Sequence, residues 1–256
     1  MRHLLSYMLI VIIYCTLATG QAWASRDVAA TNYMDGGTAA NTAMSAPFTV
    51  ATCFKPDAIG TMQAMMFRGV TALNNGWDFR IEATGNLSLF NYESDSATGT
   101  ATTAASASTW LCYAAVMTGS GAGGSVKFVR YTPGTDALAT EDVGMFVGPS
   151  PTGTHKLLIG GRWSGALANP ATGDYARAGV WSGVALTTDQ LKTWFCTGVA
   201  ASGGDGLWEL AGSASPEPDS SGNAYDLTLS GTSAGSALTA CPVAGGSNLM
   251  LMGVGR

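Results

Sequence analysis

Three segments of the sequence carry structural signals in a fixed order: residues 157–165 read LLIGGRWSG, residues 173–198 read GDYARAGVWSGVALTTDQLKTWFCTG, and residues 206–232 read GLWELAGSASPEPDSSGNAYDLTLSGT. The first segment is a short apolar run that ends in paired glycines. The second is a strand-like run followed by a short helix, because Thr187 and Gln190 have the spacing of a capping box. The third is a pair of strand-like runs divided by an acidic, glycine-containing turn. This order predicts β-strands arranged around one helix.

Short alternating runs fill much of the remaining chain. Phe48, Val50 and Phe54 fall on one face of the run at 47–56, as expected of a strand with one buried face. Similar runs occupy 64–70, 77–83, 87–92, 110–117 and 125–132. Residues 94–109 are rich in Ser, Ala, Thr and Gly and fit either an extended strand or a mobile loop. Frequent turn signals, with no internal repeat of about 20–50 residues, predict an all-β antiparallel sandwich with one short helix.

The composition narrows the class of protein. Only 11% of the residues are charged and 46% are hydrophobic, whereas about 25% are charged in an ordinary domain. The net charge is -5, and no basic patch stands out in the sequence. Nucleic-acid binding depends on neutralising phosphates with lysine and arginine. We therefore expect no nucleic acid among the partners of this protein.

Residues 1–24 have the organisation of a secretory signal peptide. Arg2 and His3 form a positive start, residues 4–17 are a mostly apolar run, and residues 22–24 read AWA, an A-x-A cleavage site. The alternative is an uncleaved membrane anchor, but the run is shorter than the ~20 residues of a membrane span. The sequence predicts a secreted, extracellular or periplasmic protein that begins at Ser25 and does not insert into the membrane after cleavage.

Cysteine usage agrees with export. Removal of Cys15 with the signal leaves Cys53, Cys112, Cys196 and Cys241. An even number in an exported domain predicts two disulfides, and four cysteines allow three connectivities. None of the four lies in a CxxC or CxH pair, which argues against a structural zinc site.

Several pieces, in order, resemble the laminin G-like, concanavalin A-like jelly-roll family. They are FTVATCFKP at 48–56, Trp77 with GNL at 85–87, Trp110 with Ala114, VKFVRYTP at 126–133, LIGG at 158–161, AGVW at 178–181 with Leu186-Thr187, LWEL at 207–210 and DSSGN at 219–223. The resemblance covers about Tyr33 to Gly231. It implies an antiparallel jelly-roll β-sandwich over residues 25–242, followed by a Gly- and Met-rich tail at 243–256.

The same resemblance implies a disulfide pairing and a function. Related pentraxins carry an intrasheet disulfide close to the positions of Cys53 and Cys112. The implied pairs are therefore Cys53–Cys112 and Cys196–Cys241. Members of the family bind carbohydrate or glycoproteins, often without catalytic activity.

Catalysis is the natural alternative, because glycoside hydrolases share this architecture. Such enzymes need two carboxylates that flank the scissile bond. None of the five glutamates lies in an E-x-D-x-E run. Asp78, Arg80 and Glu82 share one strand face, which fits a solvated ion pair better than a catalytic pair. After signal cleavage His155 is the sole histidine, and no G-x-S-x-G elbow accompanies it, so we expect no catalytic residues.

Candidate ligand contacts lie near the paired glycines. Trp163 and Tyr175 are predicted to be the exposed aromatic residues, with Arg162 beside the first of them. The remaining tryptophans of the domain are predicted to lie in the core: Trp77, Trp110, Trp181, Trp194 and Trp208.

Calcium is the one cofactor that the family resemblance implies. Calcium prefers oxygen ligands from carboxylates, amides and backbone carbonyls. The candidate ligands are Asn75 and Asp78 (beside Asn74) in one segment, and Asp174 (near Asn169) in another. Asp219 and Asn223 look similar but belong to a turn that the family keeps for structure. The alternative for every cluster is ordinary turn chemistry.

These observations lead to one favoured function and two alternatives. The favoured hypothesis is a secreted, non-catalytic module that binds carbohydrate or a glycoprotein. The second is a structural or adhesive component of an extracellular or phage-like assembly, acting through protein contacts that include self-association. The third is a degenerate or unrecognised hydrolase.

Overall fold

The alternating runs form strands in the computed structural model, which describes residues 24–37, 46–70, 75–92, 96–119, 124–144, 155–200, 203–210, 215–238 and 241. The strands are β1 (Arg26–Val28), β2 (Tyr33–Asp35), β3 (Phe48–Pro56), β4 (Gln63–Val70), β5 (Asn75–Ile81), β6 (Asn86–Asn91), β7 (Ser96–Ala104), β8 (Leu111–Met117), β9 (Ser125–Thr132), β10 (Ala137–Gly144), β11 (Lys156–Ile159), β12 (Arg162–Trp163), β13 (Leu167–Ala168), β14 (Gly173–Ser182), β15 (Gly206–Glu209), β16 (Thr228–Ser230) and β17 (Ser233–Ala234). One α-helix, α1 (Thr188–Thr197), and a 3-10 turn at Pro133–Thr135 complete the described elements.

The strands form two antiparallel sheets. The eight-stranded sheet has the order β10-β9-β8-β3-β14-β1-β17, with β15 also paired to β14. The seven-stranded sheet has the order β16-β2-β11-β4-β5-β6-β7, and β12 and β13 form a separate hairpin. The low-complexity stretch supplies β7, which confirms the strand alternative. The two stacked sheets confirm the predicted antiparallel sandwich.

One hydrophobic core fills the space between the sheets. Phe48, Val50 and Phe54 enter it from β3, while Trp77 and Phe79 enter it from β5 on the opposite sheet. The rings of Phe48 and Trp77 meet edge to face with centroids 5.3 Å apart. The period-2 pattern of the sequence therefore placed these residues on the correct face.

A second core lies on the outer face of the eight-stranded sheet, beneath α1. Leu191, Trp194 and Phe195 of the helix pack there, and Trp181 of β14 meets Trp194 edge to face at 5.2 Å. The tryptophans predicted to be in the core are all buried, with exposed fractions of 0 to 8%: Trp77, Trp110, Trp181, Trp194 and Trp208. The central strands of this sheet are consequently covered on both faces.

The two disulfides have the predicted connectivity. Cys53 and Cys112 lie opposite each other on the neighbouring strands β3 and β8. Cys196 in α1 joins Cys241. This second bond fixes the chain that follows β17 to the helix. The signal segment at 1–23 and the tail at 243–256 lie outside the described residues.

No helix among the described residues combines the length and the apolar character that a membrane span requires.

Thr187→Ala is expected to lower the free energy of unfolding by about 1 kcal/mol, because the capping box predicted from the sequence is present. The Gln190 amide donates to Thr187 Oγ1 at 3.2 Å, and the Thr187 amide donates to Gln190 Oε1 at 2.8 Å. Urea denaturation measures the loss. Thr188→Ala, one residue further into the helix, is the control, and an equal loss in both variants would contradict the capping role.

Candidate functional site

A row of side chains crosses the outer face of the seven-stranded sheet. Asp35, Leu158, Phe67, Asp78 and Phe90 are register neighbours on five adjacent strands, from β2 to β6. Residues paired in this way project to the same side of a sheet. Because the alternate residues of β5 point into the core, this row faces away from it. The outer face is thus largely aromatic and apolar around one central carboxylate.

The β12–β13 hairpin brings further residues to this face, and the paired glycines allow its close approach. Gly160 has a φ of +94°, and a Cβ atom there would lie 2.8 Å from Val28 Cγ1. A Cβ atom on Gly161 would lie 2.5 Å from Leu167 Cδ1 in β13. Such contacts are closer than packed carbon atoms tolerate. The glycine pair singled out in the sequence therefore lets the hairpin pack against β4.

Trp163 forms a partly exposed cluster with Tyr33 and Lys156, which we call the Trp163 platform. The ammonium of Lys156 lies 4.3 Å from the centroid of the Trp163 ring, and the Tyr33 ring meets Trp163 edge to face at 6.4 Å. Lys156 is itself held by an ion pair with Asp35 at 2.7 Å. All three members of the platform are only partly buried. The platform therefore offers aromatic and polar groups to solvent on a rigid sheet.

Beside the platform, Asp78 is the centre of a buried polar cluster, which we call the Asp78 network (Asp78, Arg80, Tyr92 and Arg162). The Tyr92 hydroxyl donates to Asp78 Oδ2 at 2.6 Å, and Arg162 Nη1 donates to the Tyr92 oxygen at 2.8 Å. Arg80 Nη1 lies 3.5 Å from Asp78 Oδ1. That oxygen accepts no hydrogen bond from the described residues. The network connects the buried carboxylate of Asp78 to the partly exposed guanidinium of Arg162.

Burial dominates the ionisation of Asp78. It raises the pKa of the carboxyl to about 6, although the Arg80 charge, the Tyr92 hydrogen bond and Arg162 each lower it. The prediction of a solvated face at this position was wrong, since Asp78 has no exposed surface. Its register neighbours Phe67 and Phe90 are aromatic, and they replace water around the carboxylate.

The prediction that Asp78, Arg80 and Glu82 share one strand face is confirmed. Arg80 pairs with Glu82 at 2.7 Å, and its guanidinium stacks over the Phe90 ring at 4.1 Å. Arg80 also lies 3.5 Å from Asp78 Oδ1, so one guanidinium bridges the two carboxylates. The two carboxyl groups therefore hold a cation between them, which is the internal ion pair that the sequence predicted.

The two alternative calcium sites lie in different parts of the sandwich. Asp78 lies in the seven-stranded sheet, whereas Asp174 lies in β14 of the other sheet and pairs with Lys55 at 2.8 Å. Both carboxylates face cationic side chains, Lys55 beside Asp174 and Arg80 beside Asp78. In the part of the chain that the structure describes, no cluster of three or more His, Cys, Asp or Glu could hold a metal ion. The side chains of Asn74 and Asn75 lie outside the described residues, and calcium there stays a prediction.

The predicted exposure of Tyr175 was wrong. Tyr175 is fully buried in the core between the sheets, where its ring stacks on Phe54 at a centroid distance of 4.3 Å. The cause is a register shift between Tyr175 and Arg177 in the pairing of β14 with β3, which places Tyr175 on the same inner face as Ala178 and Val180. Tyr175 therefore offers no surface to a ligand, whereas Trp163 and Arg162 lie on the outer face.

The acidic turn has the structural role that was expected of it. Asp219 Oδ1 accepts the amides of Leu207 and Ser221, and Oδ2 accepts the amide of Tyr225 and the hydroxyl of Ser221. Four hydrogen bonds fully occupy this carboxylate. Asp219 thus stabilises the loop between β15 and β16.

Sequence reasoning missed Tyr33, Lys156 and Tyr92 as members of the site. Tyr33 and Trp163 are far apart in the sequence, and only the pairing of β2 with β11 brings them together. A signal for these residues was available in the sequence. Tyr33 and Tyr92 are aromatic side chains at the ends of strands, on the face that was expected to be polar.

Comparison with known proteins supports the fold. No protein-family model matches the chain, and no curated protein matches it. A solved structure from Bacteroides ovatus, described provisionally as a carbohydrate-binding protein, is 20% identical with a TM-score of 0.61, over 86% of this chain and 61% of that one. This chain therefore spans less than two thirds of that protein.

Two other solved structures are more distant. A heptameric pentraxin from Limulus polyphemus is 16% identical over 84% of this chain and 89% of its own, with a TM-score of 0.44. The CBM40 module of a Ruminococcus gnavus sialidase is 16% identical over 68% of this chain and 94% of its own, with a TM-score of 0.47. The fold conclusion rests on the Bacteroides structure, and the laminin G-like subdivision stays a prediction.

Proposed function

We propose that this protein is a non-catalytic module that binds carbohydrate or a glycoprotein through the outer face of its seven-stranded sheet. The Trp163 platform carries the proposal, because it presents a partly exposed indole ring next to charged donors. Sugar recognition combines an apolar surface for the ring with a few fixed polar groups for the hydroxyls. The description of the Bacteroides structure supports the same class of ligand.

The choice of this face as the binding surface follows from the distribution of partly exposed aromatic residues. Four described aromatic residues are partly exposed, and three of them, Tyr33, Phe90 and Trp163, lie on this face; the fourth is Tyr225. The corresponding face of the eight-stranded sheet is covered by α1. The large exposed apolar residues described elsewhere, Leu138 and Val199, are aliphatic. The seven-stranded sheet therefore supplies the better surface for a sugar.

A purely binding role agrees with the chemistry of this face. The Asp78 carboxylate has no exposed surface, and Arg80 lies between it and Glu82. Export of the protein is part of the proposal: residues 1–24 supply the signal, and two disulfides suit an oxidising compartment.

Trp163→Ala is expected to weaken glycan binding about tenfold or more, because truncating a central tryptophan commonly costs about 2 kcal/mol of binding free energy. Protein expressed from the full chain is first screened on a glycan array, with calcium and with chelator. The affinity of each variant for the best glycan is then measured by calorimetry.

Leu138→Ala is the matched control, since Leu138 is an exposed apolar residue on β10 of the other sheet. We expect it to leave the affinity unchanged. If folded protein binds no glycan in either condition, the proposal fails, and self-association of that protein would favour the structural alternative.

A further inference from the structure

Arg162 differs from the other cations of the outer face in its partners. Arg80 pairs with Glu82 at 2.7 Å, and Lys156 pairs with Asp35 at 2.7 Å. Within the described residues, Arg162 has no carboxylate partner within 4 Å, and its Nη1 donates a hydrogen bond to the Tyr92 hydroxyl at 2.8 Å. Its Nε is buried and makes no hydrogen bond to the described residues.

A guanidinium without a direct ion pair has donors left for an anion. Arg162 is only partly exposed, so water compensates its charge incompletely. Asp78 is the nearest carboxylate in the network, and the Tyr92 hydroxyl lies between it and Arg162. Arg162 therefore makes no direct ion pair with a described residue, and its remaining N–H groups can donate to an anion on a ligand.

The position of this charge is as informative as its sign. Arg162 and Trp163 are consecutive residues of β12, which packs against β4, and on the outer face they contact Tyr92 and Tyr33 respectively. Tyr92 holds the guanidinium from the side of β6, so its orientation is set before any ligand arrives. A pre-oriented guanidinium binds a carboxylate with two parallel hydrogen bonds more readily than a mobile ammonium does.

We propose that Arg162 binds a carboxylate on the ligand while Trp163 contacts the sugar ring, so that the preferred ligand is an acidic glycan. This inference rests on the proposed function and adds the chemical class of the ligand. Arg162 acts here as the specificity-determining residue. Lys156 contributes charge to the same surface, although Asp35 already balances it.

The test is an array of matched glycan pairs, in which each carboxylate is either free or methyl-esterified, with dextran sulfate and dextran as a second pair. We expect at least tenfold tighter binding to the free acids than to their esters. Arg162→Gln is expected to abolish this preference, and Arg162→Lys to keep part of it. Arg130→Gln, the same change on β9 of the other sheet, is expected to leave the preference intact.

Each remaining outcome is decisive. Equal binding to acids and esters overturns the inference and leaves the proposed function standing, whereas no binding to any glycan overturns both. Binding to dextran sulfate as tight as to the free acids would show general charge attraction and also overturn it.

A Tyr92→Phe variant tests whether Tyr92 orients the Arg162 guanidinium for the ligand. It removes the hydrogen bonds to Arg162 and Asp78 but keeps the guanidinium charge. We expect weaker binding with the preference for acids retained. If Tyr92→Phe, folded by circular dichroism, binds the free acids as tightly as the wild type does, Tyr92 does not orient Arg162 and that part of the inference is wrong.

Discussion

Replacing Cys53 and Cys112 together with alanine is expected to lower the free energy of unfolding by about 4 kcal/mol, the chain-entropy value for a loop of this length. The bond joins residues 59 apart, so its loss frees a large segment of the unfolded chain. Both cysteines are fully buried, and alanine leaves space in the core beneath α1, which adds to the loss. Guanidinium denaturation without reductant measures the change.

The second disulfide provides a matched comparison. Cys196 and Cys241 are 45 residues apart, so their replacement with alanine also costs about 4 kcal/mol from chain entropy. Both are only partly buried, and the additional loss from the core should be smaller. We therefore expect the Cys53/Cys112 variant to be the less stable of the two. A loss below about 1 kcal/mol in that variant would contradict the entropic argument.

Replacing Asp78 with asparagine is expected to stabilise the protein more at neutral than at acidic pH. Relative to the wild type, the free energy of unfolding of the variant should rise by about 3 kcal/mol between pH 3.5 and 7.5. Burial raises the pKa of Asp78 from 3.8 to about 6. Below the lower value the carboxyl is protonated in both the folded and the unfolded chain. Between the two values only the unfolded chain releases the proton, so the stability of the wild type falls as the pH rises. Above about pH 6 the folded chain also releases the proton, and the free energy of unfolding of the wild type falls no further from this cause.

Asparagine keeps an acceptor for the Tyr92 hydroxyl and does not ionise in this range, so the variant lacks this loss. Urea denaturation of both proteins at the two pH values gives the difference. Asp142→Asn is the control, because Asp142 is exposed on β10 and its nearest cation, Lys127, lies 3.9 Å away. An equal pH effect in both variants would show that Asp78 is not the group responsible.

Prediction from sequence was accurate where local chemistry decides the structure. Alternation along β3 placed Phe48 and Val50 in the core, and the spacing of Thr187 and Gln190 located the start of α1. The pairing of Cys53 with Cys112 followed from the family resemblance. Each of these features depends on neighbours along one strand or one turn, or on a pattern that the whole fold preserves.

The errors have a common physical origin. Tyr175 was expected to be exposed, but a register shift between Tyr175 and Arg177 places its side chain in the core between the sheets. Such a β-bulge depends on the pairing of β14 with β3, which alternation along one strand does not show. Asp78 was expected in solvent, but its register neighbours Phe67 and Phe90 are aromatic.

The sequence by itself determined most of the longer strands, the helix and the tryptophans of the core, because these depend on periodicity, capping and side-chain polarity. Only the tertiary structure decided the composition of the candidate site. The link from Arg162 through Tyr92 to Asp78 and the contact of Trp163 with Tyr33 join residues far apart in the chain. Such contacts depend on the order and register of strands in the sheet, which the local pattern of a single strand does not encode.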